Sequence, residues 1–321
     1  MRLLDQALNV LTGRGDTPPA PHLSLALQGG GSYGAFTWGV LDRLLEAPDL
    51  KFDAISGASA GAVNAALMAA GMAEGGREGA RKKLESFWRR MSVASSFLPL
   101  NVIPPGVEAL AQALSPFQFN PFDLNPLRRA LESEIDFDSL RAADGPRLLI
   151  ATTRVSDGAL RIFRNEELTV DTILASACLP LIHRTVEIEG EGYWDGGYSA
   201  NPPLVQLVHE SDALDVLIVQ VTPARGQGIP TNRSDIVKRL EHISFNATLN
   251  AELEALRLAA KLRATPKMRG LRVDRLAAED EIADLASRSA ADLDWRFLTR
   301  LRDAGRGAAE GWLAQRARLA A

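Results

Sequence analysis

Ser59 lies in Gly57-Ala58-Ser59-Ala60-Gly61, a G-x-S-x-G setting. Bulkier neighbours would clash where the chain reverses, so this spacing lets a serine project as a nucleophile from a sharp strand-to-helix turn. The flanks supply both elements. Phe52 to Ser56 is a short apolar-rich run of strand length, and Ala60 to Ala70 is an alanine-dense stretch interleaved with Val63, Leu67 and Met68 that favours helix. Ser59 is therefore expected at a helix N-terminus, where backbone N–H groups and the dipole favour the charge that develops in acyl transfer. Upstream, Gln28-Gly29-Gly30-Gly31-Ser32-Tyr33-Gly34 offers successive N–H groups that can approach a tetrahedral oxyanion closely. Downstream, Tyr193-Trp194-Asp195-Gly196-Gly197-Tyr198 ends a strand-like segment with an acid beside two glycines. Together the residues fit metal-free acyl-ester hydrolysis, with Ser59 as nucleophile, Asp195 as general base and Gly29, Gly30 and Gly31 as oxyanion loop.

Each string has a competing reading. Gly29-x-Gly31-x-x-Gly34 follows the apolar run Leu23 to Leu27 and opens a helix from Ala35 to Leu45, as a dinucleotide fingerprint does. That fold wants an acid at the far end of the second strand, whereas here the strand ends in Ser56 and runs into the serine turn, with Asp53 at its other end. Asp195-Gly196 also suits a hairpin turn. A histidine is the usual partner of a serine nucleophile, and the chain has four: His22, His183, His209 and His242. None lies in a glycine-marked loop, yet the order Ser, Asp, His leaves His209 or His242 open as a triad member.

The three strings resemble the patatin-like phospholipase family, and the likeness spans residues 22 to 225. Phe36-Thr37-Trp38-Gly39-Val40-Leu41 is similar to the family's first helix. Ala175 to Pro180 looks like the segment before its acid, and Asn201-Pro202-Pro203 like the one after it. The resemblance implies a Ser59–Asp195 dyad in place of a triad, with Gly34, Gly57, Gly61, Gly196 and Gly197 as the motif glycines. It also implies no cofactor and a substrate among phospholipids, lysophospholipids or neutral acyl esters. Many members carry Arg or Lys where Tyr33 stands, so a cationic contact to phosphate does not carry over. An intracellular polyester or storage-ester hydrolase, or a catalytically silent lipid-binding protein, is compatible with the same strings.

Around these residues, strand-like runs (Leu23 to Leu27, Arg147 to Thr152, Leu160 to Phe163, Asp215 to Val221) alternate with helical ones. This predicts a three-layer α/β/α fold with a mostly parallel central sheet. The expected organisation is an arm and proline-rich linker over 1–21, a catalytic domain over 22–225 with an apolar cap segment over 93–126, and a helical C-terminal extension over 226–321. In that extension Ile236, Leu240, Ile243, Leu249, Leu253 and Leu256 recur near helical spacing. A net charge of −4, with arginine-rich stretches offset by acids, speaks against a nucleic-acid partner. Cys178 is the single cysteine, so no disulfide within the chain is available. No cysteine–histidine cluster suggests a metal, and no signal-like or bilayer-length apolar run is present. The expectation is a cytoplasmic protein whose partners are its acyl-ester substrate, a transient lipid surface and, at most, further copies of itself.

Overall fold

The computed structural model describes residues 22–97, 125–226, 228–262 and 265–320. The expected arm (1–21) and most of the expected cap (98–124) lie outside the described residues. Eight strands form one sheet: β1 (His22–Leu27), β2 (Lys51–Gly57), β3 (Arg147–Arg154), β4 (Leu160–Phe163), β5 (Val186–Ile188), β6 (Glu191–Asp195), β7 (Asp215–Gln220) and β8 (Arg272–Ala277). The order across the sheet is β5-β6-β3-β2-β1-β7-β8, with β4 also paired to β3. β3, β2, β1, β7 and β8 run parallel, while β4, β5 and β6 pair antiparallel.

The helices are α1 (Gly34–Leu45), α2 (Ala60–Phe97, interrupted at Gly75 and Gly76), α3 (Pro126–Glu134), α4 (Phe137–Ala142) and α5 (Val170–Ser176). They continue with α6 (Leu204–Glu210), α7 (Arg233–Lys261), α8 (Pro266–Gly270), α9 (Ala278–Glu281) and α10 (Trp295–Ala320). Strand alternation sorts the core into two faces. Leu23, Leu25 and Leu27 of β1 and Leu217 and Val219 of β7 join the large core built with α1, α2 and α10. Ala26, Val216 and Ile218 pack on the other face against Leu204, Leu207 and Val208 of α6 and Leu249 and Leu256 of α7. Each fully buried leucine in these layers is worth about 1.5–3 kcal/mol of transfer free energy. The central strands are apolar on both faces, as a doubly covered parallel sheet requires, and the three-layer expectation holds.

The C-terminal residues are built into the sheet as well as packed on it. β8 supplies a parallel edge strand beside β7. Its sequence, Arg272-Val273-Asp274-Arg275-Leu276, carries the charges that blunt an exposed edge, and those charges hid it within a tail expected to be helical. α10 crosses α1 at the closest backbone approach that glycine allows: a Cβ on Gly39 would lie 1.9 Å from the Arg302 carbonyl oxygen, and one on Gly305 2.1 Å from that of Phe36. In α7 the apolar positions divide. Leu249 and Leu256 are buried, whereas Ile236, Leu240 and Ile243 are exposed. No described helix is long and apolar enough to cross a membrane.

Candidate active site

The carboxyl ends of the parallel neighbours β2, β1 and β7 lie along one edge of the sheet, where open α/β sheets present ligand-contacting loops. β2 runs through Gly57 and Ala58 directly into α2, and Ser59 between them has φ 53°. That left-handed conformation is costly for a residue with a Cβ, and here packing enforces it. A Cβ on Gly61 would lie 2.0 Å from the Leu27 carbonyl oxygen, so the turn fits only because this position is bare. The Ser59 N–H is taken by Ser176 at the end of α5, through both its carbonyl oxygen (3.1 Å) and its hydroxyl (3.0 Å).

Asp195 reaches the same edge from an antiparallel strand. β6, paired on its other side with β5, meets β3 at that strand's last residues alone, Thr152 to Arg154, so its end still lies near the carboxyl edge of the sheet. The Asp195 N–H donates to the Cys178 carbonyl at 2.9 Å, and its own carbonyl accepts the Thr153 hydroxyl at 2.8 Å. Segment 176–178 thus holds the serine with one residue and the aspartate with another. Oδ1 of Asp195 accepts the Gly197 N–H at 2.7 Å. The residue is wholly buried, and burial pushes its pKa up to about 7 against the opposing pull of the Gly197 N–H and the Ser59 hydroxyl. Oδ2 is buried with no hydrogen-bond partner among the described residues. Ser59 is close enough to pull the Asp195 pKa down, yet its hydroxyl closes no hydrogen bond to Oδ2.

The three glycines expected to act alike differ in their bonding. Gly29 is pressed against the serine, since a Cβ on it would lie 2.7 Å from Ser59 Cβ. Its N–H is already donated to Asn201 Oδ1 at 2.7 Å, so it is not free for an oxyanion. The N–H groups of Gly30 and Gly31 have no acceptor among the described residues. Gly34 and Gly57 fit against Ala60 and the Gly61–Ala62 backbone, and Gly196 and Gly197 against Ala151 and Phe245, where a Cβ would clash. Tyr33 turns away from phosphate-type chemistry: it is buried, lies edge-on to Phe297 and donates its hydroxyl to the Arg288 carbonyl at 2.7 Å.

The histidines are elsewhere. His209 is exposed at the end of α6, and His242 is buried on α7, where desolvation, Lys238 and Arg239 push its pKa down to about 4. Neither hydrogen-bonds Ser59 or Asp195. Reasoning from the residues alone missed the supporting roles of Ser176, Asn201, Thr222 and Gln28, although Gln28, Ser176 and Asn201 each fell within a quoted stretch that resembles the family. Among the described residues no group of three His, Cys, Asp or Glu side chains is arranged to hold a metal.

A covered parallel sheet with a strained serine elbow and a buried carboxylate beside it defines a layered α/β protein with nucleophile-elbow geometry. The family model for patatin-like phospholipases matches residues 25–208, more than half of the chain, and the protein belongs to that family. It is similar to the crystal structure of VipD from Legionella pneumophila, with 18% identity and a TM-score of 0.42 over 90% of this chain and 67% of that one. Among curated proteins none matches. Family membership brings lipid acyl hydrolysis as the general activity and lipid as the substrate class.

Proposed function

We propose that the protein is a serine carboxylic-ester hydrolase working through a Ser59–Asp195 dyad. The observation that carries this reading is the pairing of a left-handed Ser59 with a wholly buried Asp195 whose Oδ2 has no hydrogen-bond partner among the described residues. An ordinary carboxylate is too weak a base for a serine hydroxyl, and burial raises Asp195 to about 7, near the value a general base needs at neutral pH. Ser59 Oγ attacks the ester carbonyl carbon as its proton passes to Asp195. The carbonyl oxygen becomes an oxyanion held by the Gly30 and Gly31 N–H groups, which have no acceptor among the described residues. Collapse breaks the ester C–O bond, and the leaving alcohol takes the proton back from Asp195. Water then attacks the acyl-Ser59, giving its proton to Asp195, and the carboxylic acid is released as that proton returns to Ser59.

The test is turnover of chromogenic esters of increasing chain length by the wild type, Ser59→Ala and Asp195→Asn, each checked for folding by circular dichroism. The expected result is wild-type turnover, with both variants reduced by about 1,000-fold or more, the scale seen when members of such a unit are removed. Full activity in folded Ser59→Ala would refute the assignment. An inert wild type would favour a lipid-binding role on the same fold.

A further inference from the structure

We infer that Thr222, just beyond the end of β7, aims the oxyanion donor and is a positioning residue for the reaction proposed above, on which this inference rests. The Thr222 hydroxyl donates to the Gly29 carbonyl oxygen at 2.9 Å. In a trans peptide the C=O and the following N–H point in opposite directions in one plane, so fixing the Gly29 carbonyl fixes the direction of the Gly30 N–H. Strand order sets which direction that is. β1 lies between β7 on one side and β2 on the other. A Gly29 carbonyl drawn toward Thr222 on the β7 side sends the Gly30 N–H toward the β2 side, where Ser59 stands. Gly30 itself is seated against the segment that follows β7, since a Cβ there would lie 2.9 Å from Val221 Cγ2 and 3.0 Å from Thr222 Oγ1.

Thr222 is held firmly enough to do this. It is buried, its N–H donates to Gln28 Oε1 at 2.9 Å, and its carbonyl accepts Asn246 Nδ2 at 3.4 Å. The same Gln28 oxygen takes the Val221 N–H at 2.9 Å, and Gln28 Nε2 donates to Asn246 Oδ1 at 3.0 Å. A buried amide network therefore fixes the backbone from which the hydroxyl reaches out, and satisfied networks of this kind are rigid. On the other side of Gly29, Asn201 Oδ1 fixes the preceding peptide through the Gly29 N–H. With both peptides of the loop clamped, the Gly30 N–H is preorganised for charge that appears only in the transition state. Thr222 lies outside the span matched by the family model, residues 25–208.

The test compares Thr222→Val, which removes the hydroxyl at nearly constant volume, with Thr222→Ser, which keeps it. The readouts are kcat and KM on a soluble chromogenic ester, affinity for a trifluoromethyl ketone that forms a tetrahedral oxyanion on the serine, and the thermal melt. Expected for Thr222→Val is a fall in kcat of about 10- to 100-fold with KM nearly unchanged, matched by an equal loss of ketone affinity. Thr222→Ser should return kcat to within about threefold of wild type, since it restores the same donor. If Thr222→Val does not fold, Thr222→Ala removes the same hydroxyl without placing a methyl against the loop. Unchanged kcat in a folded variant lacking the hydroxyl overturns the inference, as does failure of Thr222→Ser to restore it. If the wild type turns over no ester, the hydrolase reading itself falls and takes this inference with it.

Discussion

Replacing Asp195 with Asn should remove a loss of stability that the wild type suffers as pH rises, and the size of that loss follows from the burial that raises the Asp195 pKa. In the folded chain the Asp195 pKa rises from 3.8 to about 7, whereas the unfolded chain restores the ordinary value. The folded state thus binds the proton more tightly, so the stability contributed by Asp195 is complete below pH 3.8 and is lost as pH rises to and through 7. At a full unit cost of 1.36 kcal/mol per pKa unit, the total loss is about 4 kcal/mol, of which about 3 kcal/mol falls between pH 5 and pH 8.5. Asn keeps an oxygen for the Gly197 N–H and carries no charge, so its own contribution is independent of pH in this range. Its buried NH2 shifts the whole curve by a constant, and comparing two pH values removes that constant. The assay is denaturant unfolding of wild type and Asp195→Asn at pH 5 and pH 8.5, followed by tryptophan fluorescence. The stability of the wild type should fall relative to the variant by about 3 kcal/mol across that interval. Parallel behaviour, with a relative change under about 1 kcal/mol, would show that Asp195 titrates as an ordinary carboxylate, and the account of its basicity would be refuted.

The same titration should appear in catalysis with the opposite value to the molecule. Because only the ionised Asp195 can accept the Ser59 proton, kcat/KM should climb with pH, reach half its plateau near the folded value of about 7 and stay level above it; a profile flat from pH 5 to 8 would contradict this. Along α10, three glycines should respond to alanine with different signs. Gly307 and Gly311 have open space around a Cβ, so each alanine should add about 0.5–1 kcal/mol by favouring the helix. Gly305→Ala would drive a methyl to 2.1 Å from the Phe36 carbonyl oxygen and should cost several °C in melting temperature through separation of α10 from α1. Equal melts for all three variants would disprove the close crossing.

The site was legible in sequence where chemistry and local geometry coincide. Ser59 needs small residues at fixed short offsets, and Asp195 sits beside glycines that the backbone of Ala151 and the ring of Phe245 crowd; such constraints leave a mark within five or six residues. The parallel sheet was legible for a similar reason, since β1, β3 and β7 must be apolar on both faces. Bonds that span the chain leave no such mark. Nothing local distinguishes Thr222 or Asn201, which meet Gly29 across 193 and 172 residues. Gly29, Gly30 and Gly31 look alike in sequence on the same ground, because the partner that occupies the Gly29 N–H comes from beyond Asp195. The edge strand β8 was concealed by its own solvent-facing charges, and the apolar spacing of α7 mixed a buried half with an exposed one.

The long-range bonds also change where the functional unit ends. The residues with recognisable chemistry stop at Asp195, and the family match stops at residue 208. Yet the Ser32 N–H donates to the Ala290 carbonyl at 2.7 Å, and the Tyr33 hydroxyl to that of Arg288 at 2.7 Å. Gly31 has φ 57°, and a Cβ on it would lie 2.3 Å from the Ala290 carbonyl oxygen, so that strand of backbone forms an outer wall for the glycine loop. Residues 288–290 lie in the connection that leads into α10, whose Phe297, Leu298 and Leu301 belong to the main core. Thr222 and Asn246 support the loop from the opposite side. An oxyanion site made of backbone N–H groups is only as accurate as the loop that carries them, because preorganisation is the source of its effect. The proposed nucleophile and base therefore come from the family-matched part of the chain, while the glycine loop proposed to hold the oxyanion is braced by residues 222–301, which makes the C-terminal third part of the proposed site.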